Sequence, residues 1–201
     1  MKMLRFVYNK LFPAFFLLLI LFAFDSPFMA VLTLLAALLH ELGHIATASV
    51  LFNHNISMPK AVIYGLRIDT GSTLSYNEEF FTALGGPAAN LLAFFAFIPL
   101  FHLSEYAATF ALINLFTAVS NLLPLRSYDG QRMLSALISK YASPFLAQQA
   151  THCTSLALST LGCFISLFLV ERMGEGYWIF GAFFASFLNE IFVHSRKAQA
   201  Q

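Results

Sequence analysis

The sequence predicts an all-α polytopic membrane protein, and three observations predict it. Of the 201 residues, 59% are hydrophobic and only 10% are charged, with a mean hydropathy of +0.73; a water-soluble chain of this size has too little interior to hide so much apolar surface. The apolar residues collect into about six stretches that approach the length needed to cross a hydrocarbon core about 30 Å thick as helices. The Lys and Arg residues fall almost entirely into alternate connections between those stretches, as the cytosolic loops of membrane proteins require.

The stretches follow in order. The first covers about 5–24 and the second about 28–52, parted by Asp25-Ser26-Pro27, whose proline suits the first turn of a helix. The third covers about 80–103, the fourth about 106–123, the fifth about 150–170 and the sixth about 177–193. Tight turns separate the third from the fourth and the fifth from the sixth, and longer polar connections lie at about 53–79 and 124–149. In the first of these connections Val62, Tyr64, Leu66 and Ile68 alternate with other residues, and Thr70-Gly71-Ser72 interrupts the run. That pattern reads as a short β-hairpin at the membrane surface between the second and third spans. The chain, 1–201, reads as one domain without repeats.

With the N-terminus cytosolic, Lys2, Arg5, Lys10, Lys60, Arg67, Arg126, Arg132, Lys140, Arg196 and Lys197 lie inside, and of the eleven Lys and Arg residues only Arg172 lies outside. Both termini are therefore expected in the cytosol, which an even number of spans also requires. Lys2 and Arg5 before an apolar run would suit a signal peptide as well, but no A-x-A cleavage site follows, so the first span is expected to be retained. Nothing in the charge distribution points to nucleic acid. Cys153 and Cys163 sit about 15 Å apart along one helix, too far to bridge, and read as small packing residues.

The second stretch contains His40-Glu41-Leu42-Gly43-His44. Residues four apart share a helix face, so both imidazoles can reach one metal ion, and the glutamate between them is placed to take a proton from water activated there. Glu and His are expensive inside a bilayer and are normally kept there for function. Counted from Phe28, His40 lies about 18 Å from the outer surface, so the chemistry should open toward the cytosolic half. A catalytic zinc takes three protein ligands and keeps one position open. Most acidic residues lie on the outer side or in the polar connection, which leaves Glu190 as the main rival to Asp129. Asp129 follows the fourth stretch directly, after Pro124, which disrupts the helix and frees backbone to line a polar cavity; Gly130 permits close approach.

Three segments carry a family resemblance: His40-Glu41-Leu42-Gly43-His44, Gly86-Pro87-Ala88-Ala89-Asn90, and Asn121-x2-Pro124-x4-Asp129-Gly130. In order and spacing they resemble the site-2 protease family of intramembrane zinc metalloproteases. The layout looks most like the branch that processes sporulation sigma-factor precursors. The resemblance implies that His40, His44 and Asp129 bind one zinc ion per chain, that Glu41 is catalytic, and that Asn121, Asn90 and Pro124 hold substrate or order the site. It implies hydrolysis of peptide bonds in membrane-associated or transmembrane substrates near the cytosolic side, as in regulated processing of a transcription-factor precursor. The implied partners are such a substrate and the lipid bilayer, with a membrane regulator or a second copy of the chain left open. That branch usually carries a C-terminal nucleotide-sensing domain, which these residues do not include. Arg126-Ser127-Tyr128 also replaces a more apolar, proline-containing run. Gly85, Gly86 and Ala89 form a small-residue surface for close helix contact. His54, His102, His152 and His194 have no ligand-spaced partner. The alternative reading is an intramembrane metal-ion transporter, since buried His and Asp also build ion pathways.

Overall fold

In a membrane chain the large apolar side chains can face outward, and the helices must then meet through small and polar residues. The structure, a computed structural model, has this distribution. It describes residues 27–51, 60–62, 65–67, 74–126, 128–173 and 177–198. The helices are α1 (Pro27–Ala46), continued by a π-helical turn Thr47–Leu51, α2 (Tyr76–Phe97) with a 3₁₀ turn Ile98–Leu100, α3 (Glu105–Leu122), α4 (Asp129–Tyr141), α5 (Pro144–Met173) and α6 (Tyr177–Ala198). Among the described residues, three segments, Phe28–Val50, Tyr76–Leu100 and Pro144–Arg172, are long and apolar enough to cross a membrane, and α6 contains a shorter apolar run, Ile179–Ile191. The first expected span lies outside the described residues. The fourth is present as α3, although it is not among the three that qualify.

The chain divides into two units, Met1–Ser120 and Asn121–Gln201. In the first, α1 turns one stripe inward: Leu32, Ala36, His40, His44 and Ala48 are buried at a spacing of four, while Val31, Leu35, Leu38 and Leu42 face outward. That spacing is one face of an α-helix. α2 packs on this stripe with Thr82, Ala83, Gly85, Gly86, Pro87 and Asn90. The approach is set by glycine. A Cβ at Gly43 would lie within 3.0 Å of the Gly85 carbonyl and of the Ala89 Cβ, and one at Gly85 within 3.0 Å of the Gly43 carbonyl and the Thr47 hydroxyl. Sequence reading found the small residues of α2 but not Gly43, their counterpart.

Strands β1 (Lys60–Val62) and β2 (Gly65–Arg67) pair antiparallel, with Lys60 opposite Arg67, Ala61 opposite Leu66 and Val62 opposite Gly65. This register places the reversal earlier than the expected turn at Thr70-Gly71-Ser72, which lies outside the described residues. α2 begins four residues before the expected span because Ser75 and Glu78 form a capping box: the Ser75 N–H donates to the Glu78 carboxylate and the Glu78 N–H to the Ser75 hydroxyl. The S-x-x-E spacing is a start signal readable in sequence.

In the second unit the expected polar connection after Pro124 is largely helical. α4 occupies Asp129–Tyr141, an amphipathic helix with an acid in its first turn and Lys140 in its last, which suits the helix dipole. α5 then starts at Pro144, the first helical position, six residues before the expected fifth span, with the Ser143 hydroxyl accepting from the Leu146 N–H at 3.2 Å. Along α5 the buried residues Ala147, Thr151, Ser155, Ser159 and Ser166 form a small-residue face, and α6 packs on this helix. The Thr151 and Ser166 hydroxyls donate to the carbonyls four residues earlier, so their burial leaves no donor unmet.

The glycine contact gives the first test. Alanine improves helix propensity by about 1 kcal/mol, but at position 43 the new methyl would meet a backbone carbonyl, which cannot swing aside as a side chain would. Gly43→Ala should therefore lower stability by about 1–2 kcal/mol, read as a fall in melting temperature of the purified protein in detergent; an unchanged or higher melting temperature would refute the account.

Candidate metal centre

His40 and His44 are 7% and 5% exposed on the inward stripe of α1. Both ring orientations are fixed from α2. The His40 Nδ1 lies 2.7 Å from the Asn90 Oδ1, and the His44 Nδ1 lies 2.7 Å from the Thr82 carbonyl oxygen. Each oxygen is an acceptor, so each Nδ1 carries the proton and each Nε2 is left with its lone pair. The Gly86 N–H also lies 3.3 Å from the His44 Nδ1. The opposite tautomer would satisfy that longer contact but set a lone pair against the Thr82 carbonyl at 2.7 Å, so the shorter contact decides.

The two Nε2 atoms face each other at 3.2 Å. Nitrogens bound to one tetrahedral zinc at 2.0–2.1 Å are about 3.3 Å apart. The histidine pair therefore fits a zinc ion. Gly86 completes the pocket, because a Cβ there would lie 2.5 Å from the His44 Nε2 and 2.8 Å from the His40 Cε1.

Asn90 is fully buried and uses its whole amide. Its Oδ1 accepts from His40, and its Nδ2 donates to the Ala36 carbonyl at 3.0 Å and to the Asn114 Oδ1 at 2.7 Å. Asn114, also fully buried, donates to the Phe110 carbonyl at 2.8 Å. Sequence reading did not single out Asn114 or Thr82. Asn114 carried a signal, a polar residue in the middle of an apolar stretch; Thr82 acts through its backbone carbonyl, which no side chain announces. Glu41, one residue after His40, is half-buried.

In the second unit, α3 ends at Leu122, two residues before Pro124. Tyr128 is extended (φ −94°, ψ 158°) and Asp129 opens α4, 6% exposed. Gly130 permits the tight entry expected of it: a Cβ would lie within 3.0 Å of the Leu122 and Leu123 carbonyls. The Arg132 guanidinium lies 3.2 Å from the Asp129 Oδ1. Burial pushes the Tyr128 phenol above its usual pKa, so it stays protonated at neutral pH. Asn121 and Pro124 are half-buried at the end of α3 and just after it. His40 and His44 belong to the first unit and Asp129 to the second.

Glu190, the rival ligand of the sequence reading, is engaged elsewhere. It is fully buried and takes a two-pronged hydrogen bond from Arg126, Nε to Oε2 at 2.6 Å and the terminal guanidinium nitrogen to Oε1 at 2.8 Å. His152 Nδ1 contacts the same Oε1. The hydrogen bond to Glu190 raises the Arg126 pKa still further, so this guanidinium is always charged. His152, without a ligand-spaced partner in the sequence, thus meets a carboxylate of α6.

No family model matches the sequence. The chain is 32% identical over 164 residues to stage IV sporulation protein FB of Bacillus subtilis (strain 168), an alignment covering 78% of this chain and 56% of that protein. The chain thus spans about half the length of this curated relative. Its fold is similar to that of the site-2 protease from Methanocaldococcus jannaschii, with a TM-score of 0.61, 17% sequence identity, and coverage of 81% of this chain and 76% of that one. The fold is that of a helical membrane protein built around a buried histidine pair. Both likenesses support the resemblance to the site-2 protease family. These relatives give the transporter alternative no support.

The hydrogen bond from His40 to Asn90 generates a prediction. Asn90→Ala removes the acceptor that fixes the His40 tautomer and should weaken divalent-metal affinity about 10–100-fold, measured by competition with a chromogenic chelator. Asn90→Asp keeps an oxygen at that point and should bind more tightly than Asn90→Ala; equal affinity of all three proteins would discard the role given to Asn90.

Proposed function

We propose that the chain is an intramembrane zinc metalloprotease that hydrolyses peptide bonds of membrane-associated or transmembrane substrates near the cytosolic side, with one zinc held by His40, His44 and Asp129. The observation that carries the reading is the approach of the two Nε2 atoms to 3.2 Å, with each Nδ1 held against an oxygen of the neighbouring helix. Such an arrangement is stable when both lone pairs are shared with a cation. Asp129 would supply the third protein ligand, the number usual for a catalytic zinc. A bound zinc supplies Lewis-acid polarisation of a peptide carbonyl and lowers the pKa of water to about 7.

The remaining work falls to the protein. Glu41 takes the proton of the attacking water and returns it to the leaving amine, so its carboxylate must be ionised before attack. Asn90 and Thr82 hold the two rings in the ligating tautomer, and Asn121 and Pro124 order the broken end of α3 or contact substrate. A transmembrane substrate helix hides its carbonyls in its own hydrogen bonds and must unwind before attack. The strand pair β1–β2, placed at the membrane surface, receives the unwound segment by edge pairing. Six spans with both termini cytosolic put this chemistry on the cytosolic side, consistent with processing of a membrane-tethered precursor such as that of a transcription factor.

Glu41→Gln keeps the shape of the side chain and both histidines while removing the base. Coexpressed with candidate membrane substrates, the variant should yield no cleavage product by mass spectrometry and still bind about one zinc per chain, as expected of a residue that is not itself a ligand. Products at the wild-type rate would remove Glu41 from the mechanism, and loss of zinc would make it a ligand.

A further inference from the structure

Glu190 is a carboxylate with no exposed surface in a helix whose middle, Ile179–Ile191, is apolar. Replacing a buried ion pair by apolar residues of similar volume is often neutral or stabilising. Stability alone therefore gives little reason to keep one. A guanidinium held by two parallel bonds differs from an apolar contact in being directional, because its plane fixes where the attached backbone must run.

The backbone fixed here is the segment that leads into Asp129. Arg126 lies three residues before it. The Arg126 side chain ends on Glu190 of α6, and the Arg126 N–H donates to the Ser155 hydroxyl of α5 at 2.9 Å. The neighbouring Leu125 is 2% exposed. The Tyr128 N–H donates to the Leu125 carbonyl at 3.1 Å and the Gln131 N–H to the Tyr128 carbonyl at 3.2 Å, which carries the anchored turn into the first turn of α4. Gly130 seats that turn against the Leu122 and Leu123 carbonyls. His152, also on α5, closes the other side of the Glu190 carboxylate.

We infer that Glu190 is a positioning residue: through Arg126 it locks Leu125, Arg126 and Tyr128 to α5 and α6 and thereby fixes where Asp129 is presented. For the metal this rests on the ligand set proposed above. The lock itself is a property of the second unit and can be tested without metal.

The test uses the full chain in lipid nanodiscs, with Glu190→Gln and the double variant Arg126→Met/Glu190→Met. In metal-free protein, Glu190→Gln should speed amide hydrogen exchange at Arg126 and Tyr128 about tenfold or more while leaving α1 and α2 unchanged, as expected of local opening. Zinc affinity, from chelator competition, should fall about tenfold or more. The double variant leaves no buried unpaired charge, so its melting temperature should return toward that of the wild type while its zinc affinity stays low. Unchanged exchange at Leu125, Arg126 and Tyr128 overturns the lock. Recovery of zinc affinity together with melting temperature in the double variant reduces the pair to a structural one and also overturns the inference. Loss of zinc in Glu190→Gln with full zinc binding in Asp129→Ala would make Glu190 a ligand, which overturns it as well. Faster exchange in a protein whose wild type binds no zinc would uphold the lock and refute the proposed metal centre.

Discussion

The candidate centre depends on one contact: the backbone of α1 at Gly43 lies directly against the backbone of α2 at Gly85. Only at that separation can the imidazoles on α1 reach the Asn90 amide and the Thr82 carbonyl on α2, both at 2.7 Å. The residue order on the two helices shows how the match works. His40 pairs with residue 90 and His44 with residue 82, so α2 runs opposite to α1 and supplies an acceptor for each ring in turn. Because both Nδ1 protons are held from one helix, both Nε2 atoms turn toward the same point. Gly86, between the two acceptor positions, leaves room for the rings themselves.

Lipid gives helices no hydrophobic reason to associate, so close backbone contact and polar bonds must do so. The first unit joins the two through a single chain of donors: His40 Nδ1–H to Asn90 Oδ1, Asn90 Nδ2–H to Asn114 Oδ1, and Asn114 Nδ2–H to the Phe110 carbonyl. Each amide has its oxygen facing a donor and its nitrogen facing an acceptor, so neither can be flipped without breaking two bonds. The ring orientation of His40 is thereby tied to α3 as well as α2. A network satisfied at every member is rigid, whereas one missing partner would leave a buried group unmet at a cost of about 1–3 kcal/mol.

Much of this was legible in the sequence where the governing interaction is local. His40 and His44 share a helix face by spacing alone, and Gly85, Gly86 and Ala89 mark a close contact by size alone. What lay hidden depends on partners distant in sequence or on signals that compete. Residues 124–149 read as a polar connection because Pro124 and Gly130 punctuate them, yet an acid at 129 and a lysine at 140 bracket a helix. The start of α2 was missed because an apolar-length criterion looks past Ser75 and Glu78, which bear the cap. Glu190 resembled a ligand because a lone intramembrane acid invites one; its partner Arg126 lies 64 residues earlier, and no periodicity connects them.

The two polar networks differ in a way that bears on charge. The one behind His40 is made of neutral amides, and the one around Arg126 sets a guanidinium against a carboxylate, so the Arg126–Glu190 pair carries no net charge. A divalent ion in a low-dielectric site must be balanced nearby, or its burial becomes prohibitive. With zinc held as proposed, Asp129 is the ligand that brings a negative charge, since both imidazoles are neutral donors. Pairing of Glu190 with Arg126 neutralises the Glu190 charge within the second unit itself, so this buried acid needs no cation of its own.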